Sequence, residues 1–290
     1  MLIRHHRWLP VFMIAWCIFL VPGCENNPPT NPHVNINSNK TSVLRLAVTT
    51  STQDSGLLDI LVPLFEQSHA CRVDVIAVGS GAALKKGESG DVDVVLVHAP
   101  AAEDAFMEAG HGIRHEPLMH NYFLIAGPVE DSAEIQGKDP FVALRTIAEG
   151  NHRFISRGDG SGTHQRECDL WQEAGGRPSW DDYIESGQGQ GKTMMMADEM
   201  NAYVLCDQAT WLKQSDKYRL VPLLTRTDKL RNPYAVMVVD PSKHPSMNVK
   251  LAHSFVDFLI SVETQNLIAD YQINGHTLFH PDRLSKESTK

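Results

Sequence analysis

The chain has 290 residues, 42% of them apolar and 21% charged, an ordinary globular composition with length for one or two domains. Its 26 Lys and Arg are outnumbered by 35 Asp and Glu, for a formal charge of -9, which excludes a protein that holds nucleic acid through bulk electrostatics. A small anion is not excluded, because it responds to the local field of a few N–H groups, hydroxyls and one arginine.

The chain starts unlike the rest of itself. Arg4, His5, His6 and Arg7 are cationic, and residues 9–21 form an apolar run too short for a membrane span, so residues 1–24 read as a signal peptide. The run ends in Val21-Pro22-Gly23-Cys24. This resembles the lipobox of bacterial lipoproteins, with Pro22 a departure, and makes Cys24 the expected lipid anchor. Residues 25–42, rich in Asn and Pro, are expected to be a flexible tether.

From Val43 short β-rich runs alternate with helical stretches, which predicts an α/β fold with mostly parallel sheets flanked by helices. Strands are expected at 43–48, 72–78, 92–97, 122–126, 153–156 and 234–239. Leu57, Leu61, Leu64 and Phe65 sit at helical spacing after the cap candidates Asp54 and Ser55, and Pro63 predicts a kink or a late start. Near the end Leu251, Phe255, Phe258, Leu259 and Val262 make an amphipathic face, followed by a second short helix over 263–271. Cys71, Cys168 and Cys206 have no metal or redox spacing and read as buried thiols, with one disulfide left open.

Three loops carry the chemistry: Thr49-Thr50-Ser51-Thr52, Gly79-Ser80-Gly81 and Arg157-Gly158-Asp159-Gly160-Ser161-Gly162-Thr163. Each falls where a strand should give way to a helix. In α/β sheets ligands gather beyond the carboxyl ends of strands, where helix N-termini offer unpaired N–H groups to anions. Glycine lets the backbone approach, Ser and Thr add neutral donors, Arg157 supplies a planar cation, and Asp159 is placed to orient it. Taken singly, each loop is also what an N-cap, a generic turn or a surface ion pair looks like; the combination is what points to an oxyanion.

The stretches ISRGDGSGTH, AVTTSTQDSGLLD, VIAVGSGAAL, DVDVVLVHAP, SGQGQGKTMMMADEMNAYVLCDQATWL and NPYAVMVVDP resemble the tungstate-binding proteins of tungstate ABC transporters (TupA-type), over residues 44–282. The resemblance implies a two-lobed periplasmic-binding-protein fold of class II type, with residues 43–120 plus 234–290 as one lobe and 121–233 as the other. The family's Thr-Thr-Thr-Ser signature falls on Val48-Thr49-Thr50-Ser51, so its first threonine is valine here. It implies an oxyanion bound by Thr50, Ser51, Ser80, Arg157, Ser161, Gly162 and Thr163. It also implies a permease partner, a monomer anchored through Cys24 on the outer face of the membrane, and neither catalytic residue, cofactor nor metal site beyond tungstate or molybdate itself.

A site made only of donors suits tungstate and molybdate, which carry no proton at neutral pH, over hydrogen phosphate, which needs an acceptor. Molybdate, then sulfate and phosphate, are the alternatives within the binding class. In another class, Ser161 with His164 and Asp159 would make a secreted hydrolase, but the G-x-S-x-G elbow is missing. His98 and His164 read as scaffold, Met194, Met195 and Met196 as core, and residues 187–192 as a close-approach loop at the cleft rim rather than a Walker A motif.

Overall fold

The computed structural model describes residues 41–177 and 179–284. The expected signal peptide, Cys24 and all but the last residues of the expected tether lie outside the described residues. In chain order the first elements are β1 (Ser42–Thr49), α1 (Thr50–Ser55), α2 (Leu58–His69), β2 (Cys71–Val78), α3 (Ser80–Glu88), β3 (Val94–Val97), α4 (Pro100–Glu108) and β4 (Gly112–Gly127). Then come α5 (Pro140–Glu149), β5 (Phe154–Ser156), α6 (Gly162–Glu173), β6 (Tyr183–Glu185), α7 (Gln190–Glu199), β7 (Tyr203–Asp207), α8 (Gln208–Gln214) and β8 (Val221–Leu224). The chain closes with β9 (Arg231–Val239), α9 (Val249–Ile260), α10 (Val262–Asp270), β10 (Gln272–Ile273), β11 (His276–Thr277) and β12 (His280–Pro281).

The strand order is β2-β1-β3-β9-β4-β7-β5-β6, with β8 and β12 also pairing to β4. Mixed pairing corrects the expectation of mostly parallel sheets. Parallel ladders join β1 to β2 and β3, and β5 to β6 and β7, whereas β4 and β9 pair antiparallel with every neighbour. β4 changes partner along its length, from β9 up to Tyr122 to β7 from Phe123 onward.

The strands read as unbroken apolar runs because helices cover both faces. Leu44, Leu46 and Val48 of β1, Val94 and Leu96 of β3, and Val236 and Val238 of β9 face one core with α2 and α9. Ala47, Val95, Val97, Met237 and Val239 alternate with them into a second core with α3 and Phe106 of α4. Beyond Tyr122 the alternation repeats: Phe123, Ile125, Tyr203 and Leu205 face α5 and α6, and Leu124, Ala126, Val204 and Cys206 face Met194 and Ala197 of α7. In α9 the residues Leu251, Phe255 and Leu259 are buried, and Phe255 meets Phe65 of α2 edge-on at 4.9 Å between ring centroids.

The helix expected over 57–65 is α2, and the residues expected to cap it, Asp54 and Ser55, belong instead to the short helix α1 before it. Gly56, at φ +87°, separates α1 from α2, and a Cβ there would lie 2.9 Å from the Tyr271 hydroxyl, so only glycine fits the turn. Leu57, not Asp54 or Ser55, caps α2, without a side-chain bond, and Pro63 sits inside it. Cys71 and Cys206 are buried free thiols, but Cys168 is exposed, on the outer side of α6. Met194 is fully buried and Met195 is half exposed, because the helical repeat turns it away from β7.

Candidate functional site

The six strands in parallel ladders deliver their carboxyl ends to one place. Five of them, β1, β2, β5, β6 and β7, lead into α1, α3, α6, α7 and α8, and the residue before each helix, Thr49, Gly79, Ser161, Gly189 or Asp207, lines a single cavity of about 250 Å³, which the sixth, β3, reaches through His98. That is below the size usual for drug-like ligands and suits a small ion.

Three of the five helix starts are capped by their own side chains. The Thr49 hydroxyl accepts from the Thr52 amide, the Ser161 hydroxyl from the His164 amide, and Asp207 Oδ1 from the Thr210 amide at 2.8 Å. The other two, α3 and α7, begin after Gly79 and Gly189 and have no side-chain cap. Their first-turn N–H groups are left for something else to satisfy. Two side-chain donors beside them share this condition: the buried Ser80 hydroxyl and Arg157 Nε make no hydrogen bond.

Arg157 is held from behind. Its Nη2 donates to Asp159 Oδ2 at 2.5 Å, and Asp159 Oδ1 accepts the Ser161 amide at 3.1 Å. Partial burial pulls the Asp159 carboxyl upward, but bonds from the Ser161 hydroxyl and amide and the Arg157 charge outweigh it, leaving it below the usual carboxylate range. Gly158, at φ +60°, brings the loop against β6, where a Cβ would stand 2.7 Å from that of Glu185. Gly162 comes close from the other side: a Cβ there would lie 3.4 Å from the His98 ring and 3.9 Å from the Ser80 hydroxyl.

Thr50, Ser51, Ser80, Arg157, Ser161, Gly162 and Thr163 therefore line the same cavity, and Asp159 stands behind Arg157. Val48 points into the core, fully buried. His164 lines a neighbouring cavity instead, and its Nδ1 accepts the Gly160 amide at 2.9 Å. The Ser161 hydroxyl bonds the His164 backbone and not its ring, so no Ser–His–Asp relay forms from the residues a hydrolase would use.

Sequence reasoning missed Asp54, Asp207 and Thr210, which line the cavity, and it read His98 as scaffold and Gly189 and Gln190 as part of a rim loop, whereas these three line it too. The 187–192 segment is a wall of the site rather than its rim. Asp207-Gln208-Ala209-Thr210 after an apolar strand is an N-cap signature that was there to be read. Asp207 brings a carboxylate to the site, but its oxygens are already engaged by the Thr210 amide and, at 2.7 Å, the Thr210 hydroxyl. Among the described residues no group of three His, Cys, Asp or Glu is gathered as a metal site, and no helix is long and apolar enough to cross a membrane.

The PBP superfamily domain matches residues 37–263. A tungstate-binding protein TupA of Peptoclostridium acidaminophilum is 39% identical over 277 residues, covering 94% of this chain and 96% of the relative. Among solved structures, the tungstate-binding protein TupA of Desulfovibrio alaskensis superposes with a TM-score of 0.79 at 40% identity, covering 83% of this chain and 99% of that one. A structure described as the tungstate ABC transporter from Geobacter sulfurreducens gives a TM-score of 0.71 at 46% identity, covering 79% and 98%. Nearly full-length identity at this level joins a common fold to a common set of loops, and the chain belongs to the periplasmic-binding-protein superfamily and, within it, to the TupA-type tungstate-binding family.

Proposed function

We propose that this protein captures a tetrahedral oxyanion, tungstate before molybdate, outside the cytoplasm and delivers it to the permease of an ABC importer. The observation that carries the reading is the pair of uncapped helix starts, at Gly79 and Gly189, facing one small cavity beside the unpartnered Ser80 hydroxyl and Arg157 Nε. Donors in that number, with the carboxylates of Asp159 and Asp207 engaged by Arg157, Ser161 and Thr210, match an anion that brings acceptors and no proton. Thr50, Ser51, Ser80, Arg157, Ser161, Gly162 and Thr163 are the ligand-binding residues, and Asp159 orients Arg157.

Residues 43–120 with 234–290 form one lobe and 121–233 the other; the change of partner in β4 beside Asn121 supports the first boundary. Each lobe supplies some donors, and the anion stabilises the closed arrangement through its contacts to both. The protein works as a monomer tethered through Cys24, without cofactor or catalysis.

The test is a calorimetric competition of tungstate, molybdate, sulfate and phosphate on the purified protein. One anion bound per chain is expected, with tungstate displacing sulfate and phosphate. Phosphate binding as tightly as tungstate, or turnover of a generic ester that Ser161→Ala abolishes, would overturn the reading.

A further inference from the structure

His98 stands at the end of β3 on the floor of the cavity. Its ring lies on Tyr234, 4.6 Å between centroids, and its two nitrogens have different partners. Nδ1 is 2.9 Å from Asn232 Oδ1. Asn232 Nδ2 donates to Asn121 Oδ1 at 2.8 Å and to the Tyr234 hydroxyl at 3.2 Å, so Asn232 Oδ1 is an acceptor and His98 Nδ1 carries the hydrogen. Burial holds the His98 ring below its ordinary range, against the opposing influence of Asn232 and Asp207. The neutral ring then presents a bare lone pair at Nε2.

That lone pair faces the Ser51 hydroxyl at 3.2 Å, and a neutral imidazole nitrogen without hydrogen can only accept. Ser51 therefore donates to His98, and its oxygen accepts from Thr49, 3.2 Å away. Ser51 has a single hydroxyl proton. It cannot serve the histidine and an anion together, and an anion that claimed it would leave two acceptors facing each other.

We propose that His98 is a positioning residue that couples capture to protonation: when the anion takes the Ser51 hydroxyl hydrogen bond, Nε2 takes a proton from solvent and donates it back to the Ser51 oxygen. The balance is one hydronium-equivalent taken up per anion, with no covalent bond made or broken in the ligand. The inference rests on the capture reading above and adds to it that the cargo enters with a proton.

The surrounding charges bear on the direction. Within the cavity Asp54 of α1 and Asp207 before α8 favour the imidazolium, Arg157 before α6 opposes it, and Tyr234 of β9 is neutral beneath it. On the ring's other side the neighbouring cavity is bounded by His164, Arg166, Cys168, Asp169, Asp228 and Arg231, of mixed sign. An arriving dianion adds negative charge next to the ring and raises its proton affinity. By reciprocity, protons then raise the affinity for the anion, by up to about tenfold per pH unit across the interval between the two His98 states.

The experiment is tungstate calorimetry on the full protein between pH 6.5 and 8.5, in buffers of low and high ionisation enthalpy, with ring-nitrogen NMR of wild type before and after saturation. Expected are buffer-dependent heats amounting to as much as one proton per anion, loss of that dependence in His98→Gln, and an Nε2 resonance that moves to the protonated position on loading. Heats independent of buffer, uptake unchanged in His98→Gln, or a ring that stays neutral when loaded would each overturn the role of His98 while leaving capture standing. No heat with any of the four oxyanions would instead overturn capture, and this inference with it. The NMR arm reads the wild type alone, so it decides even if His98→Gln does not fold.

Discussion

The residues before α3 and α7 offer a direct way to exchange function for stability. Gly79 has φ -66° and ψ 154°, almost the backbone of Ser161 at -69° and 168° and of Asp207 at -76° and 146°, both of which cap their helices. A Cβ at Gly79 meets nothing within 4 Å. Gly79→Asp should then fold unchanged and place its carboxylate on the first-turn amides of α3, as Asp207 does on Thr210. Relative to glycine the new cap and its charge at the helix start are worth between a few tenths and ~1 kcal/mol, a rise in Tm of about 1–3 °C at this size.

The same carboxylate occupies the donors an anion needs and sets like charge beside it. Unit charges ~4 Å apart at an effective dielectric near 20 repel by about 4 kcal/mol, roughly a thousandfold in affinity. Thermal melting with and without tungstate, beside calorimetry, reads both effects at once. Gly79→Asp should melt higher without anion and no longer shift with it, and Gly79→Ala, which adds neither cap nor charge, separates the causes. Retained affinity within about tenfold in Gly79→Asp would refute the role of the α3 start, and a lower melting point without anion would refute the capping geometry. Gly189→Asp, equally unobstructed, should behave alike at α7.

Arg157→Ala should weaken tungstate binding by about 2–5 kcal/mol with the fold intact, and Arg157→Lys should recover only part, lacking the planar fork; calorimetry within threefold of wild type would sink the assignment. Burial lifts the Glu167 carboxyl to about 7 from 4.5 in the open chain. The folded protein thus holds a proton that the unfolded chain has already released, stability falls as pH rises from 4.5 to 7, by up to ~3 kcal/mol, and Glu167→Gln should flatten that fall. Parallel urea midpoints for both proteins at pH 5 and pH 8 would contradict it. Cys24→Ser should release the protein from membranes or block its maturation, which fractionation and the mass of the mature N-terminus check. Saturating tungstate should reduce the radius of gyration in small-angle scattering, and a melting shift without compaction would mean that the site is fully formed beforehand.

What was legible in the sequence is what depends on neighbours along the chain. The apolar runs of β1, β2 and β9, the amphipathic face of α9 and the hydroxyl-and-glycine loops are local patterns, and the structure has them within a few residues. β4 is not local. Its first ten residues, GIRHEPLMHN, include Pro117 and four charged or histidine side chains, and they are a strand because β9 pairs along them, with the register shifting between Pro117 and Met119. Gly189 could be placed no nearer than the rim, and Asp207 not at the site at all, for a related reason: each looks like an ordinary turn or cap until β6 and β7 are seen to end beside β1 and β2, more than a hundred residues earlier in the chain.

The acidic chain and its anion site are consistent once charge is counted where the ligand would sit. Arg157 is largely neutralised by Asp159 at 2.5 Å, so a lone arginine is not what holds a dianion here. The helices α3, α6 and α7, of 9, 12 and 10 residues, each present about half a positive charge at their starts, roughly 1.5 in all, on the scale of a -2 ligand. Helix-end charge comes from the backbone and is absent from any count of Lys against Asp, and it decays within a turn. The field is therefore confined to the cavity while the outer surface stays negative. It is also fixed in direction, so the site needs no reorganisation to favour an anion, and the helix starts left without a side-chain cap are where that preference is strongest. Capping them with carboxylates, as in Gly79→Asp and Gly189→Asp together, adds two negative charges to a formal -9, and should leave the fold almost unchanged and remove oxyanion binding altogether.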